Sequence, residues 1–157
     1  MVASYTDKTP CVGRCSTVFG DTVCRGCKRF SHEIIDWNRY SAEQRAAIWR
    51  RLEQLLGQVL TARLALDSVL ALEQALERWR VACDPGQPWT SKAYLLLVRA
   101  GDEALSGCGL KVLPSRLGLG ARQLRDEIDH DFQALSQAYY ERHTILPGMP
   151  GAPLGGQ

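Results

Sequence analysis

Much is missing from this 157-residue chain, and each absence removes a class of function. No glycine-rich phosphate loop, nucleophile elbow, H-E-x-x-H or kinase-type motif occurs, which lowers the expectation of an enzyme without removing it. No internal repeat and no alternating strand pattern of useful length is visible, so neither a solenoid nor a β-sandwich is expected. Met1 to Pro10 is short and polar, with no apolar core, and predicts a chain kept in a reducing cytoplasm rather than exported or membrane-bound. Charge of one sign is also scarce. Nineteen Lys and Arg stand against 17 Asp and Glu, a formal net charge of +2. Nucleic-acid binders usually show a domain pI above about 9 and a clustered basic face. With 45% hydrophobic and 23% charged residues the composition suits a folded core and argues against wholesale disorder.

Cysteine is the exception. Four of the six lie in the first 27 residues, Cys11, Cys15, Cys24 and Cys27, in the pattern C-x3-C-x8-C-x2-C. In a reducing compartment such clustering points to metal rather than to disulfides. Zinc takes four thiolates tetrahedrally, and a [4Fe-4S] cluster takes one per iron, so the pattern satisfies both and leaves Zn2+ and [4Fe-4S] as alternatives. Either centre carries a charge of about −2 with its thiolates. The basic excess sits beside it: residues 1–56 hold nine Lys or Arg against six acids, residues 57–157 ten against eleven. Arg14, Arg25, Lys28 and Arg29 would offset the centre's charge, and His32 could donate to a sulfur or simply occupy the first turn of its helix. Gly26 precedes the second cysteine of the C-x2-C pair instead of following it, as glycine does in rubredoxin-like zinc knuckles.

The rest reads as helix. Ser31 is expected to cap a short helix to Trp37 or Asn38, and Ser41-Ala-Glu-Gln44 fits a capping box. Apolar residues from Ile48 to Trp79 recur at helical spacing until Asp84-Pro-Gly-Gln-Pro88, as one helix or as two broken near Gly57. A buried helix from Lys92 to about Leu105, capped by Thr90 or Ser91, and a last helix, Ala121 to Arg142, follow, joined by a connector, Lys111 to Gly120, with room for one helical turn. Leu146 to Gln157, rich in proline and glycine, cannot sustain a helix and is expected as a mobile tail or an extended strip.

Pro10-Cys-Val-Gly-Arg-Cys15, Cys24-Arg-Gly-Cys-Lys-Arg29, Glu33-Ile-Ile-Asp-Trp37 and Tyr40-Ser-Ala-Glu43 together closely resemble the bacterial DUF1289 family, over roughly residues 9 to 53. Members of that family are described as predicted iron-sulfur proteins without an established biochemical role. The resemblance implies Cys11, Cys15, Cys24 and Cys27 as ligands and implies no reaction. Phe30 stands where the family commonly has threonine or another small polar residue, and the helical segment after Leu56 lies outside the family module.

Other candidates have plainer explanations. Glu127-Ile-Asp-His130 is a single E-x-x-H, whereas a di-iron bundle needs two such motifs and two further glutamates. Cys83 and Cys108, which flank the Lys92 helix and could meet in space or serve redox chemistry, suit buried or semi-exposed single thiols better. Trp37, Trp49 and Trp79 suit packing better than stacking on bases.

The sequence therefore predicts a mainly α protein: a four-cysteine metal-binding loop module over residues 1–40, a three- to four-helix bundle over 41–143, and a tail over 144–157. The function expected first is a non-enzymatic metal-binding adaptor whose helical domain meets a protein partner. An iron-sulfur redox or oxygen-sensing protein is the alternative. Nucleic-acid binding through Arg14, Arg25, Lys28, Arg29, Arg39, Arg50 and Arg51 is the weakest of the three.

Overall fold

The protein is described by a computed structural model covering residues 4–145. The expected tail beyond residue 145 lies outside the described residues. The chain is mainly helical: α1 Ser31–Ile35, α2 Ala42–Thr61, α3 Val69–Arg78, α4 Trp89–Ala100 and α5 Ala121–Tyr140, with two short strands, β1 Leu64–Leu66 and β2 Leu110–Val112. Among the described residues no helix is long and apolar enough to cross a membrane.

Two compact units emerge, residues 4–55 with 132–145, and residues 56–131. They are drawn by compactness, and α2 and α5 each contribute to both; the sequence boundaries at residues 40 and 143 are drawn by composition.

In the first unit, Val23 and Phe30 form an antiparallel bridge that closes a tight hairpin around Cys24–Cys27. Its rungs are Cys24 N–H to Arg29 O and Ser31 N–H to Thr22 O, both 2.9 Å. Phe30 is fully buried. Its ring meets Tyr140 edge-on at 5.1 Å and lies 6.2 Å from Tyr139, while the Arg51 guanidinium sits 4.0 Å above it. That guanidinium makes a bidentate pair with Glu33, both contacts 2.6 Å. Glu33 also accepts from Phe30 N–H at 2.8 Å, so the carboxylate starts α1 by reaching back to the residue before it. Ser31 is thus the first helical residue and not the cap expected for it. α1 ends at Ile35, and Trp37–Arg39 form a separate 3-10 turn in place of a helix running to Trp37. The capping box at the start of α2 is present: Ser41 N–H donates to Gln44 Oε1 at 2.8 Å and Gln44 N–H to Ser41 Oγ at 3.2 Å.

The second unit separates the long apolar pattern into two helices, and the break falls after Thr61, not at Gly57. Arg63 ends α2 by donating from its guanidinium to Val59 O at 3.0 Å. The chain then extends into β1, which pairs antiparallel with β2 in the register Leu64 with Val112 and Leu66 with Leu110. Leu64 fits a helical stripe after Leu60 equally well, which hides a three-residue strand from periodicity. Ser68 caps α3, its Oγ accepting from Ala71 N–H at 3.1 Å. α4 begins at Trp89 after Pro88, so Thr90 and Ser91 lie in its first turn and do not cap it. The helix gives way at Gly101 to a 3-10 turn, Gly101–Leu105. The connector holds the expected single turn, Pro114–Arg116. Leu60, Leu72, Leu96, Leu97, Leu124 and Ile128 are almost fully buried and form the core.

Candidate metal centre

The hairpin from Thr22 to Ser31 places Cys24 and Cys27 at its turn, and the backbone there is bent to serve the sulfurs. Lys28, directly after the second cysteine, has φ +67°, one of two non-glycine residues with positive φ among those described. This left-handed step is one that glycine adopts without strain, and here a lysine takes it at the position directly after the second cysteine. Lys28 N–H donates to Cys24 O at 2.9 Å, and its buried Nζ donates to Arg25 O.

Cys24 is 1% exposed. Burial, the strongest influence on its thiol, pushes the pKa up, but the amides of Cys27, Ser16 and Gly26 and the Cys27 side chain hydrogen-bond to the sulfur and bring it down to about 7. Cys27 differs: burial raises its thiol pKa, and Arg29 works against that rise. Arg29 Nε donates to Cys27 Sγ at 3.2 Å, the guanidinium lies 5.0 Å from the Trp37 ring, and the residue is 3% exposed. No carboxylate pairs with Arg29 among the described residues.

The first cysteine pair is built more simply. Gly13 N–H donates to Cys11 Sγ at 3.3 Å, so Cys11-Val-Gly13 repeats the cysteine-to-glycine-amide contact of Cys24-Arg-Gly26. Cys15 Sγ lies 3.0 Å from Thr17 Oγ1. The first loop is pressed onto the knuckle. Cys24 Sγ donates to Arg14 O at 3.3 Å, Arg25 N–H donates to Ser16 Oγ at 2.8 Å, and a Cβ on Gly26 would stand 2.5 Å from Arg14 O. Cys11 is exposed and Cys15 half-buried, and all six cysteines of the chain are free thiols. Among the described residues no three His, Cys, Asp or Glu side chains stand close enough together to hold a metal ion. The structure therefore brings Cys24 and Cys27 together and lays the loop carrying Cys11 and Cys15 against them, without closing four sulfurs on one point.

The surrounding residues divide. Arg14 and Arg25 are exposed, and Arg25 pairs with Asp21 at 3.3 Å, while Lys28 and Arg29 are buried. His32 stands against Phe30, 5.8 Å between rings. Burial lowers its pKa, and among the described residues its Nε2 has no hydrogen-bond partner. The Glu33–Arg51 pair escapes sequence reading because Arg51 lies 18 residues away on another helix.

Away from the hairpin, Glu127 takes Arg63 at 3.0 Å and Arg116 at 2.9 Å, while His130 is exposed beside Asp131. The E-x-x-H residues serve ion pairs on the surface of α5. Cys108, 2% exposed, donates to Glu103 O at 3.2 Å, a buried thiol with a local partner.

No curated protein and no solved structure matches the chain. Residues 9–56 match the family described as "Protein of unknown function (DUF1289)". This stretch covers the hairpin, its first loop, α1 and most of α2, and over it the chain is similar to that family.

Proposed function

We propose that Cys11, Cys15, Cys24 and Cys27 hold one metal centre, a zinc ion or a [4Fe-4S] cluster, and that the protein acts as a non-enzymatic adaptor whose metal fixes a surface for a protein partner. The observation that carries this reading is Arg29. A guanidinium buried to this degree needs a counter-charge, and among the described residues its side-chain hydrogen-bond partner is the Cys27 sulfur. A thiolate there supplies that charge, and metal coordination keeps it a thiolate against burial. The donor set also fits: four free thiols, two in a knuckle whose amides point at sulfur, and a second cysteine loop packed on the first. Zinc would supply a tetrahedral cross-link, and a cubane would add one-electron chemistry.

The adaptor reading draws on the surface around these ligands. Val18 and Phe19 are 73% and 88% exposed at the end of the turn that follows Cys15. Nucleic-acid binding loses support because Lys28, Arg29 and Arg51, three of its seven candidate cations, are turned inward.

The test is metal content of Cys24→Ser against wild type, with far-ultraviolet circular dichroism alongside. The expected result is loss of metal and a loosened N-terminal module, with the C-terminal helices intact. Unchanged metal content in the variant removes Cys24 from the ligand set.

A further inference from the structure

Two exposed apolar faces of this chain carry opposite charge, one in each unit. In the first unit, Val12, Val18 and Phe19 are each at least 60% exposed. Arg25 N–H donates at 2.8 Å to Ser16 Oγ, at the start of the turn that ends on Phe19, and a Cβ on Gly26 would stand 2.7 Å from the Val12 side chain. These contacts gather the three apolar residues at one end of the unit, together with the exposed Arg14 and Arg25. Residues 8–29 hold five Lys or Arg, namely Lys8, Arg14, Arg25, Lys28 and Arg29, against the single acid Asp21. A tetrathiolate centre of charge about −2 would still leave this segment positive.

In the second unit, Ser68 caps α3, whose Leu72, Ala75 and Leu76 are buried, while Val69 and Leu70 in its first turn are 61% and 68% exposed. Val69, Glu73 and Glu77 recur at every fourth residue and share one stripe, with Leu70 beside Glu73. Residues 67–77 hold three acids, Asp67, Glu73 and Glu77, and no Lys or Arg. Glu73 pairs with the buried Lys92 at 2.8 Å, yet its side chain stays 49% exposed. Arg78 follows only in the last turn.

We infer that these faces fit each other across two copies of the chain, the Val12 to Phe19 end of one copy docking on α3 of the next. This names the partner of the surface assigned above to a protein, and rests on that part of the reading. Apolar side chains on both faces leave water together, and Arg14 and Arg25 meet Glu73 and Glu77. Charge disfavours a symmetric contact: the first face against itself sets arginine on arginine, and α3 against itself sets carboxylate on carboxylate. The association is therefore heterologous, and copies add head to tail because each offers one face of each kind. With so few side chains on each face, the contact is weak and salt-sensitive.

The experiment is sedimentation velocity on the full, reduced wild-type chain and on Phe19→Ser and Leu70→Ser, both substitutions of exposed side chains. Wild type should form larger species as its concentration rises and smaller ones as salt is added. Each variant alone lacks one face, and its self-association should weaken about tenfold or more, the scale of an anchor residue. Mixed in equal amounts, the two variants should form a one-to-one pair that grows no further, since α3 of Phe19→Ser and the loop end of Leu70→Ser are both intact. A mixture that stays monomeric, or a variant that associates as wild type does, overturns the inference. So does a monomeric wild type that binds phosphatidylserine vesicles through Phe19 instead. Metal content of the same samples separates the two readings. A metal-loaded chain that stays monomeric overturns this inference alone, whereas variants that pair although the chain takes up no metal support it and overturn the metal reading.

Discussion

Gly26 and Ser136 show how much can hang on one atom in this protein. A methyl group at position 26 would meet the Arg14 carbonyl at 2.5 Å and the Val12 side chain at 2.7 Å. The carbonyl belongs to backbone and can move only if the whole first loop moves. Gly26→Ala should therefore push the Cys11–Cys15 loop off the knuckle and sharply weaken metal binding, read by competition with a chromogenic chelator; unchanged affinity would mean the loop contact does not shape the site. At Ser136 the expectation is opposite in sign. Its side chain is 1% exposed, and among the described residues the hydroxyl has no hydrogen-bond partner. Removing a buried, unsatisfied hydroxyl spares a desolvation cost of about 1–3 kcal/mol, so Ser136→Ala should raise the unfolding midpoint in urea. A lowered midpoint would show that the hydroxyl has a partner in solution, a bound water being the simplest.

Among the elements, α1 is the shortest helix and depends on one side chain. Glu33 begins it through the Phe30 amide and holds Arg51 of α2, with its carboxylate fully buried. Breaking such a pair by truncating one partner costs about 3–5 kcal/mol, because the remaining charge is left buried and alone. Glu33→Ala should accordingly destabilise the first unit severely, whereas the double variant Glu33→Gln, Arg51→Met should recover part of the loss; equal destabilisation by both would contradict the ion-pair account. In the second unit, Arg63 joins the end of α2 to Glu127 and Asp131 of α5. Hydrogen bonding to Arg63 is the main reason both carboxyls titrate below their ordinary 4.5 and 3.8. A depressed carboxyl pKa stabilises the fold above the unfolded value, and that contribution disappears as pH falls through the folded value. Thermal unfolding should thus show stability flat above about pH 5 and falling below about 4.5, with a shallower fall in Arg63→Met. Identical acid profiles would exclude this network as the cause. Gly109 has a comparable joining role: its carbonyl accepts from Asp67 and Ser68, and a Cβ there, at φ +79°, would lie 2.2 Å from Ser68 O.

For the molecule as a whole, local signals were legible in the sequence and distant pairings were not. The helical stripes, the Ser41–Gln44 capping box, the single turn in the connector and the match over residues 9–56 all rest on patterns within a few residues. The strand pair joins Leu64 to Val112, and the Arg63 network reaches 68 residues along the chain, spans that periodicity does not register. Ser31 was misplaced for a related reason. A serine before an apolar helix looks like a cap, but the long Glu33 side chain takes the Phe30 amide first. At the candidate site, C-x2-C spacing announces the knuckle, whereas the left-handed Lys28 and the burial of Arg29 against sulfur depend on the folded hairpin.

The central claim is that four thiolates hold one metal. Purification of the wild-type chain without oxygen, followed by metal and acid-labile sulfide analysis with an ultraviolet-visible spectrum, tests it most directly. The account predicts about one zinc per chain with no sulfide, or about four iron and four sulfide with broad absorption near roughly 400 nm. A folded chain that carries neither metal in stoichiometric amount, and takes up neither on reconstitution under reducing conditions, would contradict it.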